Sequence, residues 1–226
     1  MFTEDGKQWN GKKWYCYGTS MTDNSGVDSP FVTGTYSKYL AEYAGLEEHN
    51  FGKGGSGIVP AIHGKVDSIK TRCMRLDDGK ADADLITLEI IANDMRAPLG
   101  DVYDTGDDTF CGNLNQILKY LLQNTRATVA VLIPTRTRHE HLHPENPYSP
   151  ESDYMKDRIA REKAVEEICL IHGIPCFNAA REANLGFYRL TGHNDYIRDQ
   201  AHTTEEGGRI LAQYYWGRLK NLFPIK

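Results

Sequence analysis

The segment that decides the fold is LITLEII, residues 85–91, a nearly continuous apolar run. A second run of the same kind, ATVAVLI, occupies residues 127–133. Short apolar runs of this type are typical of strands that are buried on both faces of a parallel sheet. Between them, residues 110–124 carry leucine and isoleucine at helical spacing, so the three segments predict a β–α–β unit.

Further strands and helices are predicted on either side of this unit. The strands are expected at 13–18 (KWYCYG), 46–51 and 174–178, and the helices at 33–44, 59–75, 154–172 and 203–222. Alternation of strands with helices implies right-handed crossovers and a parallel sheet that is covered on both faces. We therefore predict an α/β fold, a three-layer α/β/α sandwich with a five-stranded parallel sheet. It forms a single domain over residues 1–226 that begins with a polar extension at 1–11.

Composition excludes several classes of protein. The chain has 226 residues, and its net charge of −5 argues against nucleic acid as a partner, because phosphate binding needs a basic face. No apolar run approaches the roughly 20 residues that span a bilayer, and the polar start lacks the apolar core of a signal peptide. Five cysteines without a CxxC pair favour free thiols. We expect no membrane insertion and a cytoplasmic location, with export as part of a longer protein left open; the oligomeric state is not predicted.

Candidate functional residues follow the strands, because ligands of parallel α/β sheets bind where the strands end. Ser20 follows the first strand, where it suits either a nucleophile or a helix cap. The glycine-rich loop at 52–57 follows the second strand and suits either donation of N–H groups to an oxyanion or a flexible turn. Asn93 follows the third strand and is either an oxyanion donor or a turn residue. Asp199 and His202 stand before the last helix, as an oriented imidazole or as a cap with a solvated histidine.

Taken together in this order, the segments resemble the conserved blocks of the SGNH, or GDSL-like, hydrolase family. Ser20 in GTSMT matches the nucleophile of block I, and Gly55 in NFGKGG matches the glycine of block II. Asn93 in IAND matches block III, and Asp199 and His202 in DQAH match the DxxH of block V. The resemblance covers the chain from about residue 12 to its end.

This resemblance implies a serine esterase with a flavodoxin-like SGNH hydrolase fold. It implies that Ser20 is the nucleophile, that His202 is the base and that Asp199 orients His202. The implied oxyanion hole consists of the N–H groups of Ser20 and Gly55 and the amide of Asn93. No metal or cofactor is implied, and the expected substrate is a small-molecule or carbohydrate ester with a short acyl group on a polar alcohol. A thioesterase or lysophospholipase, an acetyltransferase, and a carbohydrate-binding module that has lost its activity stay open as alternatives.

Two residues depart from the usual blocks of the family. Thr19 replaces the usual aspartate of block I, and Ile91 replaces the usual glycine of block III. Because a β-branched residue resists positive φ, we expect the turn before Asn93 to be built differently in this chain.

The loop after the fourth strand is polar and rich in arginine and histidine. We expect Arg136, Arg138 and His141, together with Thr19, to contact the substrate, with a solvated rim as the alternative for the arginines. Three alternating histidines at 139, 141 and 143 could also bind zinc. Without a placed fourth ligand we favour a solvent- or substrate-facing role for them and predict no metal site.

Overall fold

A computed structural model describes residues 6–24, 35–62, 64, 67–75, 82–136, 153–183, 185, 196–197 and 202–224. These residues contain a five-stranded sheet in which every pairing is parallel and the strand order is 2-1-3-4-5. The strands are β1 (Lys13–Gly18), β2 (Glu47–Gly52), β3 (Leu85–Glu89), β4 (Thr128–Ile133) and β5 (Cys176–Asn178). The chain moves outward from β1 to β2 and then returns to place β3 on the other side of β1. Ligands of open α/β sheets bind at such a switch point, beyond the carboxyl ends of the strands.

Helices cover both faces of the sheet. The described helices are α1 (Tyr36–Ala44), α2 (Ile69–Cys73), α3 (Phe110–Asn124), α4 (Asp153–His172), α5 (Ala179–Glu182) and α6 (Glu205–Leu219). Buried side chains of α1 and α6 share one hydrophobic core with Trp14 and Leu132 of the sheet. Buried side chains of α2, α3 and α4 share a second core with Tyr17 and Val131. One core on each face is the three-layer α/β/α arrangement, so the predicted fold class is confirmed.

The beginning of the described chain is packed against α6. Trp9 is fully buried, and its indole N–H donates to the carbonyl of Leu219 at 3.0 Å. The side-chain amide of Gln8 donates to the carbonyls of Lys220 and Leu222, at 2.7 and 2.8 Å. Within the predicted polar extension at 1–11, Trp9 therefore belongs to the core, whereas Lys7, Asn10 and Gly11 are exposed.

The helix predicted at 59–75 is wrong over most of its length. Pro60–Ile62 forms a 3₁₀ turn, and Gly64 has a φ of 57°. Helix α2 starts only after Ser68, whose side chain caps it by accepting from the N–H of Thr71. A glycine at positive φ cannot continue an α-helix, so the apolar spacing here reflects burial and not a continuous helix.

The remaining elements agree with the predictions to within about three residues at each end. The strand predicted at 85–91 ends at Glu89, and the strand predicted at 174–178 begins at Cys176. The last helix is shorter than the predicted 203–222, because Thr204 is its N-cap and accepts from the N–H of Gly207. The fourth strand pairs directly with the third, as the predicted β–α–β unit requires. No helix in the described parts of the chain has the length and apolar character needed to cross a membrane.

Candidate active site

Ser20 lies on the tight turn that follows β1. The N–H groups of Thr22 and Asp23 both donate to the carbonyl of Thr19, at 3.1 and 3.0 Å, and these bonds close the turn. Ser20 is partly exposed, whereas its neighbours Thr19 and Met21 are buried. The hydroxyl of Ser20 is therefore a polar group that a ligand can reach at the end of β1.

Two glycines allow the Ser20 turn to pack closely against the sheet. A Cβ atom on Gly18 would lie 2.1 Å from Oγ1 of Thr22, and a Cβ atom on Gly52 would lie 2.4 Å from the backbone nitrogen of Asp23. Real Cβ atoms do not approach other atoms so closely, so both positions require glycine. The close packing fixes the Ser20 turn relative to the end of β2.

His202 reaches Ser20 from the segment before α6. Its Nε2 lies 2.8 Å from Oγ of Ser20, which is hydrogen-bond distance. The segment is anchored by an isolated β-bridge between Ile197 and Thr203 and by the bond from the N–H of Thr204 to the carbonyl of Tyr196, at 2.9 Å. The pairing of a serine hydroxyl with a histidine nitrogen is the arrangement that nucleophilic catalysis by serine needs. Asp199, the predicted partner of His202, lies outside the described residues.

The glycine-rich loop after β2 lies beside the Ser20 turn. The N–H of Gly54 donates to Oδ2 of Asp23 at 2.8 Å, and a Cβ atom on Gly54 would lie 3.9 Å from Cβ of Ser20. Gly55 has a φ of 74°, and a Cβ atom on it would meet nothing within 4 Å. Gly55 is therefore required for its backbone conformation and not for lack of space, since side-chain-bearing residues rarely adopt positive φ.

Asn93 and Asp94 connect the loop after β3 to the same glycine-rich loop. The amide Nδ2 of Asn93 donates to the carbonyl of Ser56 at 2.8 Å. Oδ1 of the fully buried Asp94 accepts from the N–H groups of Ile58 and Val59, at 2.8 and 3.2 Å. An amide nitrogen carries two hydrogens, and the bond to Ser56 uses one of them. The bond to Ser56 thus holds the Asn93 side chain in place and leaves the second hydrogen of its amide outside that bond.

The turn that presents Asn93 contains a strained residue. Ile91 has a φ of 90°, a region that disfavours β-branched side chains, and the N–H of Asp94 donates to its carbonyl at 2.9 Å. The expectation that isoleucine would force a different turn is therefore wrong. The backbone adopts the positive φ that suits glycine, and the fully buried side chain of Ile91 packs in the core as it does so.

Arg72 of α2 forms hydrogen bonds to both the segment before the Ser20 turn and the glycine-rich loop after β2. This role of Arg72 was not predicted from the sequence. Its guanidinium donates to the carbonyls of Gly18 and Phe51 and to Oγ of Ser56, each at 3.0 Å. Burial lowers the pKa of Arg72, although nearby acidic groups partly offset the effect. The buried side chain of Arg72 thus sets the distance between the Ser20 turn and the glycine-rich loop at 52–57. In the sequence it stood inside a predicted helix, where an arginine is ordinary.

Glu89, the last residue of β3, lies buried beneath the Ser20 turn. Its Oε2 accepts three hydrogen bonds, from the N–H of Thr19 at 2.8 Å, the hydroxyl of Thr19 at 2.7 Å and the hydroxyl of Thr22 at 3.2 Å. Burial raises the pKa of Glu89 from 4.5 to about 7, although the bonds from Thr19 and Thr22 pull it down. An acidic residue inside the apolar run LITLEII was the sequence signal for this group.

The residues expected to contact the substrate lie in three different kinds of environment. Thr19 is fully buried and its hydroxyl is bonded to Glu89, which leaves it no surface for a substrate. Arg136 binds Glu162 of α4 through two bonds, at 3.0 and 2.7 Å, and its side chain is 25% exposed. Arg138, His141 and the other two histidines of that run lie outside the described residues.

A serine hydroxyl bonded to a histidine nitrogen lies beyond the carboxyl end of a strand in a three-layer α/β/α fold, as the resemblance to SGNH hydrolases implies. The model of the GDSL-like Lipase/Acylhydrolase family matches residues 15–215, and the chain belongs to this family of carboxylic ester hydrolases. A comparison with curated proteins gives no match.

Solved structures share the fold at low sequence identity. A protein from Lactobacillus plantarum is 23% identical with a TM-score of 0.76, and the alignment covers 95% of this chain and 99% of that one. The acetylxylan esterase Axe2 from Geobacillus stearothermophilus is 16% identical with a TM-score of 0.66, covering 97% and 99%. A member of the lipolytic G-D-S-L family from Veillonella parvula is 15% identical with a TM-score of 0.61, covering 93% and 99%. The matches extend over nearly the whole of each chain, so the fold is shared as a unit.

Proposed function

We propose that the protein hydrolyses carboxylic esters through an acyl-enzyme on Ser20. The observation that carries the proposal is the 2.8 Å contact between Nε2 of His202 and Oγ of Ser20. In the first step His202 takes the proton of Ser20 as Oγ attacks the ester carbonyl, and the proton then passes to the departing alcohol. In the second step water attacks the acyl group as His202 takes a proton from it, and His202 then returns that proton to Oγ of Ser20 as the carboxylic acid leaves.

The oxyanion of each tetrahedral intermediate is stabilised by three donors in this proposal. They are the N–H of Ser20, the N–H of Gly55 and the amide of Asn93. The positive φ of Gly55 and the bond that fixes Asn93 to the Ser56 carbonyl support this role, because oxyanion donors act best when they are held in place before the reaction. Asp199 completes the site as the residue that orients His202 and stabilises its protonated form.

We propose short acyl groups on carbohydrate or another polar alcohol as the substrate class. The large hydrophobic side chains exposed among the described residues do not fall in the loops at 18–24, 52–57, 90–96 and 134–136. A long acyl chain would need such side chains to pack against. The acetylxylan esterase among the structural neighbours acts on a substrate of this kind, which supports the proposed substrate class.

Labelling by a fluorophosphonate probe tests the proposal, because the probe reacts with an activated serine. We expect the wild-type protein to be labelled and Ser20→Ala to be unlabelled and inactive on p-nitrophenyl acetate. Ser37→Ala is the matched control, since Ser37 is a buried serine whose hydroxyl lies 3.5 Å from the Thr22 carbonyl on the same turn. Labelling retained in Ser20→Ala contradicts the proposal. Absence of labelling in all three proteins favours a binding module on the same fold.

The acyl class is tested separately, with p-nitrophenyl esters of increasing chain length, an acyl thioester and acetylated xylooligosaccharides. We expect kcat/KM to fall as the chain lengthens beyond a few carbons. A preference for long chains or for the thioester selects the thioesterase or lysophospholipase alternative.

A further inference from the structure

We propose that Glu89 is a positioning residue for the reaction, whose ionised carboxylate holds the turn that presents Ser20. The rate of Ser20 acylation then depends on the charge of Glu89. This inference rests on the proposed function, in which Ser20 is the nucleophile.

The contacts of Glu89 fall on the residue just before Ser20. Oε2 accepts from both the N–H and the hydroxyl of Thr19, at 2.8 and 2.7 Å, so it fixes the backbone and the side chain of Thr19 together. The hydroxyl of Thr19 in turn lies 3.3 Å from the N–H of Met21, the residue just after Ser20. The carboxylate therefore holds the turn on both sides of the nucleophile.

Charge strengthens this hold. Hydrogen bonds to an ionised acceptor are about twice as strong as bonds between neutral groups. A protonated Glu89 keeps the same contacts but accepts them more weakly, so the Ser20 turn becomes looser. A small displacement of a reacting group lowers the reaction rate strongly, by about 100-fold for a shift of 1 Å.

The cost of burying Glu89 indicates that its carboxylate has more than a packing role. The residue is fully buried, and among the described residues no hydrogen-bond partner lies within reach of its Oε1. A buried acid with one oxygen unpartnered destabilises a fold, so a neutral side chain would fill the same space at lower cost. A Cβ atom on Gly18 would lie 2.8 Å from Oε2, so the glycine before Thr19 also makes room for the carboxylate.

The groups around Glu89 set the pH range in which its charge changes. Arg158 of α4 interacts with Glu89 and lowers its pKa, as do the bonds from Thr19 and Thr22, but burial outweighs them. Tyr36 of α1 and Tyr215 of α6 also interact with Glu89, and burial raises the pKa of each phenol well above its usual value, so both stay neutral. Glu89 is therefore the titrating group of this cluster near neutral pH, with a pKa of about 7.

The pH dependence of kcat/KM on p-nitrophenyl acetate tests the proposal. A single histidine that must lose its proton gives an acid limb of unit slope. We expect a steeper limb in the wild-type protein, because Glu89 must also ionise. In Glu89→Gln we expect unit slope and a plateau lowered by about 10- to 100-fold, because the turn is held only by a neutral acceptor.

A pair of variants near Glu89 separates charge from stability. Thr22→Val removes one donor to Oε2 and should move the acid limb to higher pH, because that bond lowers the pKa of Glu89. Tyr36→Phe is the control, since it removes a buried hydroxyl 3.0 Å from Oγ1 of Thr22 but keeps all three donors to Glu89. We expect its acid limb to coincide with that of the wild-type protein. The pair also carries the test if Glu89→Gln does not fold.

Each outcome has one meaning. Unit slope in the wild-type protein, a wild-type profile in Glu89→Gln, or equal shifts in Thr22→Val and Tyr36→Phe overturns the role of Glu89. Ser20→Ala is measured in the same assay, and activity retained in that variant overturns the proposed function itself.

Discussion

Nε2 of His202 lies 2.8 Å from Oγ of Ser20, although the two residues are 182 positions apart in the chain. The contact joins the turn after the first strand to the segment before the last helix. It therefore forms only when β1 lies between β2 and β3 in the sheet and α6 packs on the same face of the sheet as α1. The chemistry proposed for the site depends in this way on the complete fold.

His202→Ala is predicted to lower kcat on p-nitrophenyl acetate by at least about 1000-fold, because Ser20 then has no base. The double variant Ser20→Ala/His202→Ala should be no slower than either single variant, since residues that act as a unit lose their effect together. Steady-state kinetics on the three proteins checks both statements. Losses that multiply in the double variant would show that the two residues act independently.

Asn93→Ala is predicted to lower kcat by about 100- to 1000-fold with a small change in KM, because an oxyanion donor acts mainly in the transition state. Ser56→Ala serves as the control. It removes the buried hydroxyl bonded to Arg72 but keeps the carbonyl that accepts from Asn93. A loss of kcat in Ser56→Ala as large as in Asn93→Ala would indicate that loop stability, and not the amide, accounts for the effect.

Positive φ at Ile91 predicts an unusual order of stability for two variants. Both Ile91→Ala and Ile91→Gly lose Cγ1, Cγ2 and Cδ1 of the fully buried side chain, so both are destabilised, and Ile91→Gly also loses Cβ. At a φ of 90° alanine keeps about 1–2 kcal/mol of backbone strain that glycine avoids, whereas glycine costs about 0.4–1 kcal/mol through the unfolded chain. Ile91→Gly should therefore be at least as stable as Ile91→Ala in urea unfolding, although it also loses a buried Cβ worth about 0.8 kcal/mol. The opposite order would mean that the turn relaxes to negative φ in solution.

The raised pKa of Glu89 predicts a pH-dependent stability. Between pH 4.5 and about 7 the folded protein binds this proton and the unfolded chain does not, so Glu89 makes the free energy of unfolding fall as pH rises through that window. The loss is about 3 kcal/mol in total. Glu89→Gln has no titrating group at this position and therefore lacks this loss. The free energy of unfolding of the variant minus that of the wild-type protein should thus increase by about 3 kcal/mol from pH 4.5 to 7.5. Urea unfolding at several pH values checks this, and a constant difference contradicts it.

Much of the fold could be predicted because its signals are local. The apolar runs at 85–91 and 127–133 are sufficient by themselves to predict two strands. The helix Phe110–Asn124 between them was predicted with both of its ends correct. The positions of Ser20, Gly55 and Asn93 followed from one rule, that parallel strands end at the same edge of the sheet. The order of these residues along the chain provided the resemblance to the SGNH hydrolase family.

What the sequence could not predict depends on contacts between distant segments. Arg72 and Glu89 hold the site loops through bonds to Gly18 and Thr19, more than 50 positions away, and no local pattern pairs these residues. Ile91 was misjudged because the intrinsic preference of a β-branched residue was set against a turn that tertiary packing imposes. The helix expected at 59–75 failed for a related reason, since burial spaced its apolar residues as a helix would.

Arg136 offers a last prediction, on substrate preference. Its two bonds to the buried Glu162 hold the guanidinium against α4, three residues after the end of β4, the strand that pairs with β3. Burial raises the pKa of Glu162, but the bonds from Arg136 and the charge of Arg158 outweigh that effect and lower it, so the carboxylate is charged when it binds Arg136. We predict that Arg136→Ala raises KM for an ester with an anionic group and leaves kcat on p-nitrophenyl acetate within about twofold of wild type.

Arg136→Lys distinguishes this role from a structural one. A lysine keeps the charge but not the planar fork that binds Glu162 through two bonds. If Arg136 recognises an anion by its charge, the lysine variant should recover most of the KM that the alanine variant loses. If Arg136 only supports Glu162, both variants should lose stability in urea unfolding while KM for anionic and neutral esters changes equally. Equal KM changes would remove Arg136 from the substrate site and leave it as a partner of α4.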